Sequence, residues 1–293
     1  MAYTKLKAHH SPGAQVKEIS VGDSHNVHRL SIPAGPADKY RLAQLDDYTQ
    51  KSRGQFPLRP PIHLSLSARA SSESIPGTWG FGLWNDPFGL SLGFGGNPFR
   101  MPALPNAVWF FGASKESYLS FRDPRSEQSD ESTSRSADEA RATNVQREAA
   151  NGFLAQTFRS PKFHPRLIPA GLALPFSRKL TRRLMAKVIG EDGTDLCKRL
   201  SLAPESALEN AQHTNLHVTQ WHRYSLEWRE EHVSFEVDEV PVFESPVSPN
   251  PPLGLVIWID NQYAAFTPEG KIGFGVLENP EPAWIEIKDI EIR

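Results

Sequence analysis

The chain has 293 residues, 32 basic and 34 acidic side chains, and a formal charge of −2. So balanced a charge supplies no global field for nucleic acid or an anionic membrane surface. The single cysteine, Cys197, excludes an intrachain disulfide and a cysteine-based metal site, and no apolar run reaches the ~18 residues of a membrane span.

The 25 prolines and 20 glycines favour many short elements joined by turns over long helices. The first residues, Met1 to Lys7, hold no apolar run of the signal-peptide kind, so a cytoplasmic protein is expected. Residues 1–20 are polar and are expected to be flexible, with residues 21–293 forming one domain.

Strand-like runs come first at His28–Ile32 and Tyr40–Asp47, separated by a turn at Pro33-Ala-Gly-Pro36. A basic, proline-rich connector spans 50–61. Ile62–Ala70 alternates Ile62, Leu64, Leu66 and Ala68 with His63, Ser65, Ser67 and Arg69, the period of a half-buried strand. In Thr78–Asp86, Trp79, Phe81 and Leu83 share one parity, and Gly80, Gly82 and Trp84 the other. Glycines on one face of a strand leave room for something close to the backbone. Ala107-Val-Trp-Phe-Phe-Gly112 is apolar on both parities and reads as a strand covered on both faces.

From Arg122 to about Thr143, Arg, Ser, Asp and Glu dominate, the composition of an exposed loop. Helix formers follow at Ala137–Ala150, then a strand is expected at Gly152–Phe158. After Ser177, Leu180, Leu184 and Val188 recur at helical spacing, with Ser177 placed to cap and Gly190 to stop a helix. A second short helix is expected at Thr194–Leu200. Residues 122–215 therefore read as a partly helical insertion, with a lid as one of its possible roles.

The clearest stretch is Trp221–Trp228 followed by Val233–Asp238. Tyr224, Leu226 and Trp228, then Val233, Phe235 and Val237, alternate with polar residues, which defines two strands around the charged turn Arg229–His232. Val240–Phe243, Leu253–Tyr263, Lys271–Leu277 and Ala283–Ile292 complete the strands, and residues 255–259 read as a central, doubly covered one. The expected fold is all-β: a two-sheet antiparallel β-sandwich of jelly-roll type.

These segments resemble the concanavalin A-like jelly rolls, in particular the family 16 glycoside hydrolases. The resemblance rests on Leu66–Arg69 with Gly77–Trp84, on the Trp221–Asp238 hairpin, on Pro252–Tyr263 and on Trp284–Arg293, about half of the chain. It implies a concave sheet lined with ligand-binding side chains. Such enzymes carry Glu-x-Asp-x-(x)-Glu on one strand, because retaining hydrolysis sets two carboxyls about 5–5.5 Å apart. The matching strand here, Ala107–Gly112, holds no carboxylate. The resemblance therefore implies the fold and argues against the usual hydrolysis.

Candidate site residues lie at two strand ends. Trp84, Asn85 and Asp86 end one strand, and Trp258 to Tyr263 end another. Aromatic faces stack on sugar rings or other flat apolar ligands, and neighbouring polar groups fix orientation. Trp84, Asn85, Trp109, Trp258, Asn261, Gln262 and Tyr263 are the expected ligand-binding residues. Asp86 and Asp260 form the candidate acid/base pair if both face one pocket. His222 shares the parity of Tyr224 and is expected to be a buried, satisfied histidine. His213 and His217 are four apart, with no third ligand at metal spacing. By the resemblance, Asp289 is a candidate ligand of a structural calcium; no other cofactor is required. Three functions remain open: binding of a glycan or apolar small molecule, an enzyme built on Asp86 and Asp260, or an interaction domain. Neither a nucleic-acid partner nor membrane association is expected.

Overall fold

The computed structural model describes residues 6–21, 24–87, 103, 105–119, 152–160, 208–214, 216–266 and 272–293. Its strands in the first half are β1 (Lys7–His10), β2 (Gln15–Val21), β3 (Ser24–Ile32), β4 (Leu42–Asp46), β5 (Ile62–Ala70), β6 (Thr78–Trp84), β7 (Ala107–Ala113) and β8 (Tyr118–Leu119). The second half supplies β9 (Gly152–Arg159), β10 (Leu208–His213), β11 (His222–Trp228), β12 (Val233–Val237), β13 (Val240–Ser245) and β14 (Gly254–Asp260). Last come β15 (Gln262–Phe266), β16 (Ile272–Val276) and β17 (Ala283–Ile292).

Two seven-stranded antiparallel sheets form a sandwich. The first runs β1-β4-β14-β6-β7-β9-β10 and the second β13-β12-β11-β5-β17-β3-β2, with a small β16-β15-β8 sheet beside them. Period two decides which side chains meet between the sheets. Phe81 and Phe110 of the first sheet lie edge-on to Tyr224 of the second, each with ring centres 5.0 Å from it. Phe110 meets Phe235 in the same way at 5.2 Å. Leu255, Ile257 and Ile259 of β14 and Ile285 and Ile287 of β17 join this core.

The strands expected at Ile62–Ala70 and Ala107–Gly112, the hairpin, and the buried strand at 255–259 all form; every residue of β7 and β14 is buried. A two-residue loop, Asp238-Glu239, joins β12 to β13, with φ of +50° and +66°. That is the pair of positive φ values a type I′ hairpin requires.

Residues 7–10 and 15–21 are strands at the edges of the two sheets. Within the range 122–215, the strand expected at Gly152–Phe158 forms as β9, and with β10 it joins the first sheet. The helices expected at 137–150, 177–190 and 194–200 lie outside the described residues. Among the described residues, no helix is long and apolar enough to cross a membrane.

Candidate functional site

The outward face of the first sheet is apolar. Behind the core-facing side chains of β6, β7, β9 and β14, the opposite parity carries Trp84, Trp109, Phe111, Phe158, Val256 and Trp258, which form a second apolar cluster outside the sandwich core. Tyr48 and Phe56, from the connector after β4, pack onto one end of it, with Tyr48 edge-on to Trp84 at 6.2 Å.

Three tryptophans expected to bind ligand meet here. Trp84 and Trp258 stack with planes 4° apart and ring centres 6.0 Å apart. Trp109 lies 5.9 Å from Trp84 and 5.5 Å from Trp258. Trp84 is half-buried and the other two are buried. Glycines make this possible. A Cβ on Gly80 would sit 2.4 Å from the Phe110 carbonyl oxygen and 3.0 Å from the Trp258 ring. One on Gly82 would sit 2.5 Å from Trp109 Cα. The room left by these glycines is filled by the indoles themselves.

Each indole N–H is held by the protein. Trp84 donates to the Tyr48 hydroxyl at 2.6 Å, Trp109 to Gln156 Oε1 at 3.1 Å, and Trp258 to Thr78 Oγ1 at 3.0 Å. These bonds fix the ring orientations.

The Trp258 bond leads on to Asp260. The Thr78 hydroxyl donates to Asp260 Oδ1 at 2.8 Å, and the Tyr40 hydroxyl to Oδ2 at 3.1 Å. The backbone N–H groups of Thr78 and Gln262 also donate to Oδ1. Burial pushes the Asp260 carboxyl up to about 6, against the downward pull of these bonds. Burial, with Asp260 alongside, raises Tyr40 well above the usual phenol range.

Asp86 does not join Asp260. Thr78 pairs with Asp260 and Trp84 with Gly254, so the two aspartates lie at opposite ends of the β6–β14 ladder. Six residues of strand span about 20 Å, and Asp86 lies beyond them. The expected acid/base pair on one pocket is not formed. Asp86 has φ +47°, and its backbone carbonyl accepts from Arg53 Nη2 at 2.5 Å, a strand-end role.

Other candidates are occupied by the backbone. Asn85 Oδ1 accepts from the Asn106 N–H. Asn261 accepts from the Arg41 N–H and donates to the carbonyls of Lys39 and Leu277. Gln262 and Tyr263 start β15 in the small sheet. Asp289 lies on the second sheet, within 3.3 Å of Ser67 Oγ. No group of three metal-ligating side chains occurs among the described residues. His222 is held at the sandwich rim by Asp238 Oδ2, 2.6 Å from Nδ1, and by the His217 carbonyl. Burial pushes the Asp238 carboxyl up, but hydrogen bonds from His222 and the Arg223 N–H outweigh it and hold it below its usual value.

Beside the aromatic cluster is a further acidic pair that the strand patterns did not single out. Asp46, fully buried, accepts from the N–H groups of Tyr48 and Thr49, from the Thr49 hydroxyl and from Gln44. Asp47 Oδ1 accepts from the Leu255 N–H at 3.0 Å, while its buried Oδ2 meets no donor among the described residues. Burial raises Asp47 to about 7.

No family model and no curated protein matches the sequence. Solved structures similar to this chain include family 16 glycoside hydrolases. One is an endo-glucanase of that family from Bacteroides ovatus, 10% identical, covering 98% of this chain and 94% of its own, with a TM-score of 0.42. A glycoside hydrolase family protein from Mycobacterium thermorestibile is 13% identical, over 92% of this chain and 76% of that one, at 0.41. The binding domain of botulinum neurotoxin DC is 5% identical, over 98% and 42%, at 0.39. At these scores the likenesses carry no argument about activity.

Proposed function

We propose that the aromatic outer face of the first sheet binds a ligand with a flat apolar face, a glycan or an apolar small molecule. The near-parallel Trp84–Trp258 stack, with Trp109 against both, carries this reading. Fixed indole faces give large apolar contact at little entropic cost, and nearby polar groups orient the ligand. Trp84, the half-buried member, is the point of entry. Binding without retaining hydrolysis is favoured because β7 bears no carboxylate. The separation of Asp86 from Asp260 counts against an acid/base pair on this face.

The test is titration of intrinsic tryptophan fluorescence with β-glucan oligosaccharides and with an anilinonaphthalene probe, alongside an assay for new reducing ends. The expected result is a saturable spectral change with at least one ligand, no new reducing ends, and at least tenfold weaker binding in Trp84→Ala. An unchanged spectrum with every ligand, or release of reducing ends that Asp260→Asn abolishes, overturns the reading.

A further inference from the structure

One polar side chain touches both members of the tryptophan stack. Gln44 of β4 stands directly opposite Trp258 in the β4–β14 ladder, so both project from the outward face of the first sheet. Its Nε2 donates to Asp46 Oδ2 at 2.8 Å and to the Tyr48 hydroxyl at 3.3 Å. The same hydroxyl accepts the Trp84 indole N–H. Gln44 is therefore tied to Trp258 by register and to Trp84 through Tyr48.

These bonds set which end of the amide is on offer. Asp46 also accepts from two backbone N–H groups and from the Thr49 hydroxyl. The end of Gln44 that faces it is the NH2, and the Oε1 end is turned away. Gln44 is half-buried, and no described residue donates to its Oε1. Other polar groups along the stack are committed. The three indole N–H groups go to Tyr48, Gln156 and Thr78, and the Thr78 hydroxyl goes to Asp260. His9, opposite Gln44 on the outer strand β1, has its Nε2 3.5 Å from Asp46 Oδ2. The face thus combines broad apolar contact with a fixed, neutral acceptor beside it.

We infer that Gln44 orients the ligand of this face, and that the ligand is a flat aromatic ring bearing a hydroxyl, a phenol. The inference rests on the binding reading above and narrows its ligand class. A phenol O–H donates to Oε1 while its ring lies against the indoles. A sugar carries hydroxyls around its whole rim, and those left unpaired against apolar rings each cost desolvation. An aryl carboxylate has acceptors alone and sets them against Oε1, with Asp46 behind it. Because the amide is already held through Nε2, little rotamer freedom is lost when Oε1 takes a donor.

Saturation-transfer NMR titrations with p-cresol, toluene and p-toluate test it, since the three differ in one ring substituent. The expected result is p-cresol bound about fivefold tighter than toluene, the worth of one hydrogen bond, with p-toluate weakest. Gln44→Met, of similar length, brings p-cresol and toluene to within about twofold of each other. Thr49→Val removes a different donor from Asp46 and leaves the preference as in the wild type. Toluene bound as tightly as p-cresol, p-toluate bound tightest, or a preference that survives in Gln44→Met overturns the inference. So does binding of β-glucan oligosaccharides, weakened in Trp84→Ala, by a protein that takes none of the three aromatic probes; the aromatic-face reading then stands. If neither these probes, nor the oligosaccharides, nor the anilinonaphthalene probe bind, both readings fall. Should Gln44→Met not fold, the comparison of the three probes on the wild-type chain decides alone.

Discussion

Trp84 and Trp258 stack face to face although their strands do not pair them. Trp84 stands opposite Gly254 and Trp258 opposite Gly80, one at each half of the β6–β14 ladder. The missing side chain at Gly80 leaves room for the Trp258 ring, 3.0 Å from where a Cβ would sit, while Tyr48 fills the space over Gly254 beside Trp84. Sheet geometry alone would hold these side chains apart, so the stack is a product of where the glycines fall.

Truncating the two rings should have unequal effects. Trp258→Ala opens a cavity in a buried cluster and should cost about 3–5 kcal/mol. Trp84→Ala, at a half-buried position, should cost about 1–3 kcal/mol. Urea unfolding followed by circular dichroism measures both. Equal costs would mean that Trp84 is as enclosed as Trp258 and is not the entry point.

Gly80→Ala should destabilise by about 1–3 kcal/mol through overpacking. The added methyl meets the Phe110 carbonyl oxygen, which the β6–β7 ladder holds in place. Trp258 must also shift, so the emission spectrum should change with the stability. A neutral substitution with an unchanged spectrum would show that the glycine does not set the ring position.

The sandwich was legible where one parity is apolar and the other polar, as in Ile62–Ala70 and Tyr224–Trp228, and where both parities are apolar, as in β7 and β14. Trp84, Trp109 and Trp258 were singled out as candidate ligand-binding aromatics, and the structure brings them together on one face. Edge strands were not legible. Gln15–Val21 interleaves Val16 and Ile19 with charges, because one side of an edge strand meets water. Nor could spacing reveal Tyr48 and Phe56, which reach the aromatic face from a connector, or Thr78 and Tyr40, which hold Asp260 from distant segments. The Arg29–Glu286–Arg69 triad joins residues more than two hundred positions apart. Asp86 shows the converse: an aromatic near an amide and a carboxylate, as in Trp258–Asn261, ended a strand at the other end of the sheet.

Asp47→Asn should stabilise the protein at high pH. Burial lifts the Asp47 carboxyl from 3.8 to about 7, so the folded state holds its proton longer than the unfolded chain. Between these values the unfolded state ionises first, and wild-type stability falls as pH rises; above about 7 the loss is complete. Asparagine keeps an acceptor for the Leu255 N–H and cannot ionise. Its gain should be near zero below pH ~4, grow with pH, and level off above pH ~7 at about 2–4 kcal/mol. Denaturation midpoints at pH 4, 6 and 8 measure it. A gain independent of pH would place the cause in packing, not ionisation.

Thr78→Val tests the link from Trp258 to Asp260. The hydroxyl accepts from the indole and donates to the carboxylate, so valine leaves both without that partner. Asp260 titrates near 6 because burial outweighs the hydrogen bonds that pull it down. Removing one of those bonds should move it higher still. Its folded value already exceeds the unfolded one, so a further rise widens the pH window over which ionisation costs stability. The variant should therefore lose about 1–3 kcal/mol at pH 8 and less at pH 4.5, where the carboxyl is protonated in the folded protein. Carboxyl 13C resonances give the titration directly, and urea midpoints at the two pH values give the stability. If Asp260 titrates in the ordinary carboxylate range in either protein, the carboxylate is solvated, and the Thr78 bridge does not couple it to the aromatic face.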